Sequence, residues 1–176
     1  MIIIQSLKVQ SLRTALCVTS CLLIIDLAKF YQTQLDVYSD IVISKLMPLI
    51  NQSNKVISTI SSHTLACIIK NVSYNLRNLQ IISFPIVEKH KNTNTRQISV
   101  LLIGLSIEIA VQNDIQKAKF EKFGGLDLVI SCLKKSIQDP GQFIRETSRK
   151  IFSIINLHWK TRATKYFILF IYLFIH

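Results

Sequence analysis

Glycine and proline are scarce in this 176-residue chain, which contains only 4 glycines and 3 prolines. Both residues interrupt regular structure, so their scarcity favours long helices over a fold of many short strands and turns. The alternating pattern of a half-buried strand is also missing, apart from a weak candidate at residues 167–175. Hydrophobic residues make up 49% of the chain, which is enough to bury a core. We therefore expect one all-α domain.

The motifs of common enzyme classes are absent as well. The sequence contains no GxxxxGK[ST], GxGxxG, HExxH or GxSxG pattern. Gly124 and Gly125 lack the preceding strand and the lysine that a phosphate-binding loop needs. The four histidines are far apart in sequence, and the acidic residues form no paired-carboxylate arrangement. We therefore expect no catalytic activity, no cofactor and no metal site.

The four cysteines form no CxxC pair and have no zinc-type spacing to histidine. They are Cys17, Cys21, Cys67 and Cys132. We interpret them as small apolar core residues of a chain in a reducing compartment.

The charge balance is strongly basic, with 21 Lys and Arg against 10 Asp and Glu and a formal net charge of +11. Such a charge points to an acidic partner, which is a nucleic acid, an anionic membrane or an acidic protein surface. Nucleic acid is disfavoured because the basic residues do not form dense runs with interleaved aromatics. The apolar residues 166–175 are shorter than the ~20 residues that a membrane-spanning helix needs. We expect neither nucleic acid nor membrane as a partner.

One pattern recurs four times: a polar turn, then a basic residue, then a long apolar helix. The turns lie at residues 10–13, 51–55, 92–96 and 138–145. Their basic residues are Arg13, Lys55, Arg96 and Arg145, separated by 42, 41 and 49 positions. A period of about 40–47 residues is typical of helix pairs stacked into a solenoid. We therefore predict an α-solenoid of HEAT-like helix pairs over residues 1–163, with a distinct apolar tail at 164–176.

Apolar spacing places the helices between these turns. Helices are predicted at residues 12–30, 37–50, 56–71, 79–89, 98–111, 126–137 and 144–159. Residues 112–125 are interpreted as a basic connector, with solvated lysines at Lys117, Lys119 and Lys122. Pro48 is expected to loosen the end of the second helix, and Gly104 to allow close helix contact.

The order and spacing of several short motifs resemble the CLASP family, most closely its fungal members. The motifs are SLR at 11–13, NKV at 54–56, VSYNLR at 72–77, GGLD at 124–127, LKKSIQDP at 133–140, IRETSRK at 144–150 and WKTRA at 159–163. The likeness covers about residues 7–163. It implies a TOG domain, which is a flat paddle of HEAT repeats whose intra-repeat turns bind αβ-tubulin. The domain is expected to be partial, because the family has further helices and a turn with an aromatic contact before the region matching Leu7.

The resemblance also implies partners and a location. It implies binding to αβ-tubulin and microtubules, microtubule stabilisation, and attachment to spindle and kinetochore proteins. The expected locations are the cytoplasm, the spindle cytoskeleton and the nucleus. Carried over by position, the tubulin-binding residues are Arg13, Asn54, Lys55, Thr95, Arg96, Asp139 and Arg145.

Two alternatives remain open from the sequence. In HEAT repeats an arginine early in a helix often pairs with an aspartate of the neighbouring repeat, which makes an internal ladder rather than a binding surface. Arg145, with Asp139 nearby, fits that role as well as it fits a partner contact. At the level of function, the chain also fits a generic HEAT or armadillo scaffold that binds proteins on its concave surface.

Overall fold

The computed structural model describes residues 14–161 and residue 164. Every regular element in those residues is helical. The α-helices are α1 (Thr14–Tyr31), α2 (Asp36–Leu46), α3 (Lys55–Asn71), α4 (Leu76–Val87), α5 (Thr93–Gln112), α6 (Asp114–Lys122), α7 (Gly125–Ser136) and α8 (Gln142–His158). Two 3-10 helices span Gln32–Leu35 and Met47–Asn51. The strand candidate at 167–175 and most of the predicted tail lie outside the described residues.

The predicted helices are confirmed, with boundaries shifted by a few residues. The end of the second one behaves as Pro48 suggested, because α2 gives way to the 3-10 helix Met47–Asn51. The other 3-10 helix, Gln32–Leu35, joins α1 to α2.

The prediction of a connector at residues 112–125 is wrong, since most of this segment is α6. The Asn113 side chain caps the helix by accepting hydrogen bonds from the backbone N–H groups of Ile115 (2.9 Å) and Gln116 (3.2 Å). Phe120 is fully buried and holds the helix on the protein. A helix with a single buried side chain has too weak an apolar period to be recognised from sequence.

The chain divides into two compact units within α4, with unit 1 ending at Ile82 and unit 2 starting at Ser83. In unit 1, α1 and α3 lie side by side in the same direction. Near their starts Asn54 Nδ2 donates to Thr14 Oγ1 at 2.9 Å across 40 positions. Further along, Cys67 Sγ lies 3.9 Å from the Ile25 carbonyl oxygen across 42 positions. Offsets of nearly the same length at two levels mean that the two helices are parallel and in repeat register.

The helices α2 and α4 show the same relation in unit 1. Asp36 accepts a hydrogen bond from the Ser73 backbone N–H at 2.8 Å, and Asn78 Nδ2 donates to Ser39 Oγ at 2.8 Å. These contacts span 37 and 39 positions. Unit 1 therefore stacks one helix pair on the next, as HEAT-like repeats do.

Unit 2 stacks its helices in the same way at a longer offset. Arg96 of α5 pairs with Asp139, just before α8, across 43 positions. Lys135 Nζ of α7 donates to the Val87 carbonyl oxygen at 2.8 Å across 48 positions. The additional residues of α6 account for this longer repeat. The prediction of an all-α fold built from HEAT-like helix pairs is confirmed.

The cysteines lie where the sequence predicted. All four are free and buried. Burial and the neighbouring Cys21 raise the pKa of the Cys17 thiol to about 11, so this group stays protonated at neutral pH.

Two stretches of the described chain are long and apolar enough to cross a membrane by length and composition alone. They are Thr14–Asn51 and Thr93–Gln112. The most apolar window of the first is 33% buried inside the protein, and that of the second is 50% buried. Core helices of soluble proteins pass the same test, so these stretches carry no argument for a membrane.

At Gly104, α5 and α8 approach each other closely. A Cβ atom at this position would lie 3.3 Å from both Cγ1 and Cδ1 of Ile151. Gly104→Ala therefore adds about 1 kcal/mol of helix propensity but forces Ile151 to move. We expect the substitution to be more favourable by about 0.5–1 kcal/mol in an Ile151→Val background, as measured by urea unfolding in a double-mutant cycle.

The control for this cycle is Ile155→Val, which changes a buried residue of α8 farther from Gly104. Equal coupling of Gly104→Ala to both substitutions would show that the close contact does not limit packing.

Candidate functional site

The second polar turn, in unit 1, fixes the start of α3. The Asn54 side chain accepts hydrogen bonds from the backbone N–H groups of Val56 (3.0 Å) and Ile57 (3.5 Å), while its Nδ2 binds Thr14. Asn54 is therefore a helix cap that also ties two repeats together. The Asn54 side chain makes these contacts within the protein itself. Its role toward a partner is to set the position of the next residue, Lys55.

Lys55 is the first residue of α3 and is exposed. Val56 beside it is also exposed, although it is a large apolar residue. The cap formed by Asn54 fixes the backbone from which both side chains project. Arg13, the residue predicted for the first turn, lies outside the described residues.

The third turn, in unit 2, buries the residues that the sequence proposed for it. Thr95 is buried, and only 8% of Arg96 is exposed. The guanidinium group of Arg96 clamps Asp139 with two bonds, Nε to Oδ2 at 2.7 Å and Nη2 to Oδ1 at 3.0 Å. Its Nη1 donates to the carbonyl oxygens of His90 and Lys91. Arg96 thus occupies the internal ladder, the alternative to a partner-facing ridge.

The fourth turn completes this cluster around Asp139. Its Oδ1 accepts a hydrogen bond from the Gly141 backbone N–H at 2.8 Å. Arg145 Nη1 donates to the backbone carbonyl oxygens of Asp139 at 2.7 Å and Pro140 at 2.8 Å. Arg145 is half-buried, so it braces the turn and still presents part of its surface to solvent.

The pKa values of the pair reflect two opposing effects. Burial alone would raise the pKa of Asp139, but hydrogen bonds from Arg96 and Gly141 and the charges of Arg96 and Arg145 hold it below its ordinary value of 3.8. The hydrogen bond to Asp139 raises the pKa of Arg96 against the opposing effect of burial. Both groups are therefore ionised throughout the neutral range, and the ion pair is permanent there.

The structure thus brings the predicted site residues together in two sets. Thr95, Arg96, Asp139 and Arg145 form one cluster in unit 2, while Asn54 and Lys55 lie together in unit 1. The available sequence signal for the ladder was the spacing between Arg96 and Asp139, which is close to one repeat.

The predicted site residues do not include three exposed residues in or next to these turns. In unit 2, Lys91, Gln142 and Phe143 are exposed beside the Arg96–Asp139 pair. Phe143 falls outside the buried stripe of α8, which includes Ile144 and Ile151. That departure from the apolar period was the signal that could have identified it.

The described part of the chain offers no group of three or more His, Cys, Asp or Glu side chains that could hold a metal ion. The chemistry of the turns is that of charged and apolar surface contacts.

Comparison with known proteins decides the family. A family model described as CLASP N terminal matches residues 2–170. The chain belongs to the CLASP family.

Fungal relatives support the same assignment to the CLASP family. Protein STU1 of Coccidioides immitis is 33% identical over 153 residues, which cover 87% of this chain and 12% of that protein. Protein stu1 of Aspergillus fumigatus is 29% identical over 157 residues, covering 89% of this chain and 11% of the relative. Protein stu-1 of Neurospora crassa is 29% identical over 156 residues, which cover 89% of this chain and 13% of that protein. The chain therefore spans only about an eighth of the length of these relatives.

Removing one partner of the buried pair should destabilise unit 2 strongly. Arg96→Ala leaves the Asp139 carboxylate buried without its cation, and we expect a loss of about 3–5 kcal/mol in the free energy of unfolding. The control is Arg77→Ala, which breaks the pair with Asp40 (3.0 Å), in which the Arg77 side chain is 74% exposed and the Asp40 side chain 16%. That loss should stay below about 1 kcal/mol. Equal losses in chemical denaturation would contradict a ladder role for Arg96.

The lowered pKa of Asp139 predicts how this stability depends on pH. A depressed folded-state pKa contributes stability above the unfolded value, and this contribution is lost as pH falls through the folded value. Wild type should therefore exceed Asp139→Asn in unfolding free energy by a constant amount near neutral pH. The difference should shrink below about pH 4, measured by urea unfolding across pH. A difference that stays constant to pH 2 would refute the assignment.

Proposed function

We propose that this chain is a partial TOG-type repeat domain that binds αβ-tubulin or microtubules without catalysis. The proposal rests on family membership together with the exposed Lys55 and Val56 at the start of α3. In the resemblance that the sequence carries, the turns before such helices are the tubulin contacts. Among the predicted residues that the structure describes, Lys55 is the basic one that is exposed.

In unit 1 the contact surface consists of Lys55 and Val56. A lysine next to an exposed aliphatic side chain combines attraction to a carboxylate with apolar area that a partner can bury. The Asn54 cap and its bond to Thr14 hold this surface in place before binding, which lowers the entropy lost on association.

In unit 2 the proposed contact surface is the rim of the ladder and not the ladder itself. Arg96 and Asp139 fix the two turns, and the exposed Lys91, Gln142 and Phe143 face outward from them. Phe143 supplies aromatic area of the kind that often dominates protein interfaces. Arg145 adds a half-buried cation. Of the predicted tubulin-binding residues, Thr95, Arg96 and Asp139 thus support the surface from inside.

Electrostatics favour this partner. The chain carries a formal net charge of +11, and the family implies a strongly acidic tubulin surface. Complementary charge chiefly raises the association rate and fixes the orientation of the partners. From family membership we further propose roles in microtubule stabilisation and spindle organisation, with spindle or kinetochore proteins as additional partners. The proposed locations are the cytoplasm, the spindle and the nucleus.

A generic HEAT-type scaffold is the second candidate function. The observation that favours it is the burial of Arg96 and Asp139, which removes two charges from the proposed tubulin surface. Such a scaffold would bind partner proteins without preference for tubulin.

Charge reversal at Lys55 tests the tubulin proposal. We expect Lys55→Glu to weaken microtubule co-sedimentation of the full chain about tenfold, equivalent to about 1.4 kcal/mol. Lys70→Glu is the matched control, because Lys70 is exposed at the other end of α3 and undergoes the same charge change. A glutamate at the first position of a helix is compatible with the helix dipole, so Lys55→Glu should keep its fold.

The same measurement applies to unit 2. Phe143→Ala should weaken co-sedimentation, whereas Leu157→Ala, at the exposed far end of α8, should not. Full binding by both Lys55→Glu and Phe143→Ala, with unchanged circular dichroism, would refute the turn surface and favour the scaffold function.

A further inference from the structure

The outer face of α6 combines two lysines with two exposed apolar side chains. Ile115 is 68% exposed and Phe123, which caps the helix, is 53% exposed. Lys119 and Lys122 lie between them in sequence and are both exposed. Positions 115, 119, 122 and 123 follow helical spacing, so the four side chains share one face of α6.

The opposite face of α6 is fixed to the protein. Phe120 is fully buried, and its ring centroid lies 6.2 Å from that of Trp159. Lys117 Nζ lies 5.6 Å from the centroid of the Trp159 ring, which engages this lysine in a cation–π contact. The outer face therefore belongs to a helix that is already anchored.

Both ends of α6 are fixed as well. The Asn113 side chain caps its start through the Ile115 and Gln116 N–H groups. At its end Gly124 adopts a φ of 78°, a left-handed conformation that L side chains rarely adopt. A short helix held at both ends and along one side presents its outer face on a backbone that has little conformational freedom to lose on binding.

The charge of this face indicates the chemistry of its partner. Around the helix, Lys119 lies between Ile115 and Phe123, and Lys122 lies next to Ile115. The nearby carboxylates, Asp114 and Glu121, lie about 80–100° beyond Lys122, at the flank of this face. Lys122 Nζ lies 5.8 Å from the centroid of the Phe123 ring, so cation and aromatic surface are contiguous. A complementary ligand carries negative charge flanked by apolar groups.

We propose that this face of α6 docks an acidic peptide segment of a partner protein, one that carries aliphatic or aromatic side chains among its carboxylates. A lipid surface fits less well, because interfacial helices bury a broad apolar face and α6 turns Phe120 toward its own core. The surface is distinct from the turns. It follows the C-terminal end of α5, and the third turn lies at the N-terminal end, about 30 Å away along a 20-residue helix.

The test uses a fluorescent glutamate-rich peptide that carries one phenylalanine and one leucine, with binding to the full chain followed by anisotropy. We expect the double variant Lys119→Glu/Lys122→Glu to lose at least about tenfold in affinity. Phe123→Ser and Ile115→Ala should each weaken binding several-fold. The charge-matched control is Lys70→Glu/Lys150→Glu, which alters exposed lysines on α3 and α8 and should bind as wild type.

Other outcomes would overturn the proposal. If a peptide with alanine at both apolar positions bound equally well, the binding would be non-specific charge attraction. The same conclusion would follow if the control variant lost as much affinity for the peptide. Another outcome is that the chain fails to bind the peptide and binds anionic lipid vesicles or random duplex DNA. If the same substitutions then weakened that binding, the face would be assigned to those ligands. We expect Lys119→Glu/Lys122→Glu to leave microtubule co-sedimentation unchanged. A negative result with the peptide would therefore not affect the proposed tubulin contacts at the turns.

Discussion

A buried ion pair between Arg96 and Asp139 holds the turns of unit 2 in their places. It fixes the start of α5 against the segment that leads into α8, because the same arginine also binds the carbonyl oxygens of His90 and Lys91. Asp139 in turn orders the Gly141 N–H. The exposed residues around these turns, Phe143 among them, therefore project from a backbone that this internal contact helps to fix. In unit 1 a neutral equivalent, the bond between Asn54 and Thr14, joins the corresponding helix starts.

The two surfaces of unit 2 follow from how its repeat is lengthened. The insertion of α6 between α5 and α7 adds a helix to this repeat, and Gly104 allows α5 and α8 to pack closely. The turns at the starts of α5 and α8 and the outer face of α6 are consequently independent in space. Their chemistry also differs, since the rim of the ladder presents Lys91, Gln142 and Phe143, and α6 presents paired lysines between apolar side chains.

The sequence was sufficient to predict the repeat architecture, because the repeat is visible as a regular spacing of basic turns. The period of basic turns predicted stacked helix pairs, and contacts at offsets of 40 and 42 positions realise it in unit 1. The same period could not decide whether Arg96 faces a partner or Asp139, since a ridge and a ladder repeat identically. That choice depends on burial in three dimensions. Likewise α6 escaped notice because only Phe120 among its residues is buried.

The ladder also has a direction. Carbonyl oxygens from His90 and Lys91 surround position 96 and accept hydrogen bonds there, while the Gly141 N–H at position 139 requires an acceptor. Exchanging the arginine at position 96 with the aspartate at position 139 would keep two opposite charges next to each other. It would also place a carboxylate against carbonyl oxygens and a guanidinium group against an N–H donor. The backbone groups around each position therefore set which of the two carries the cation and which the anion.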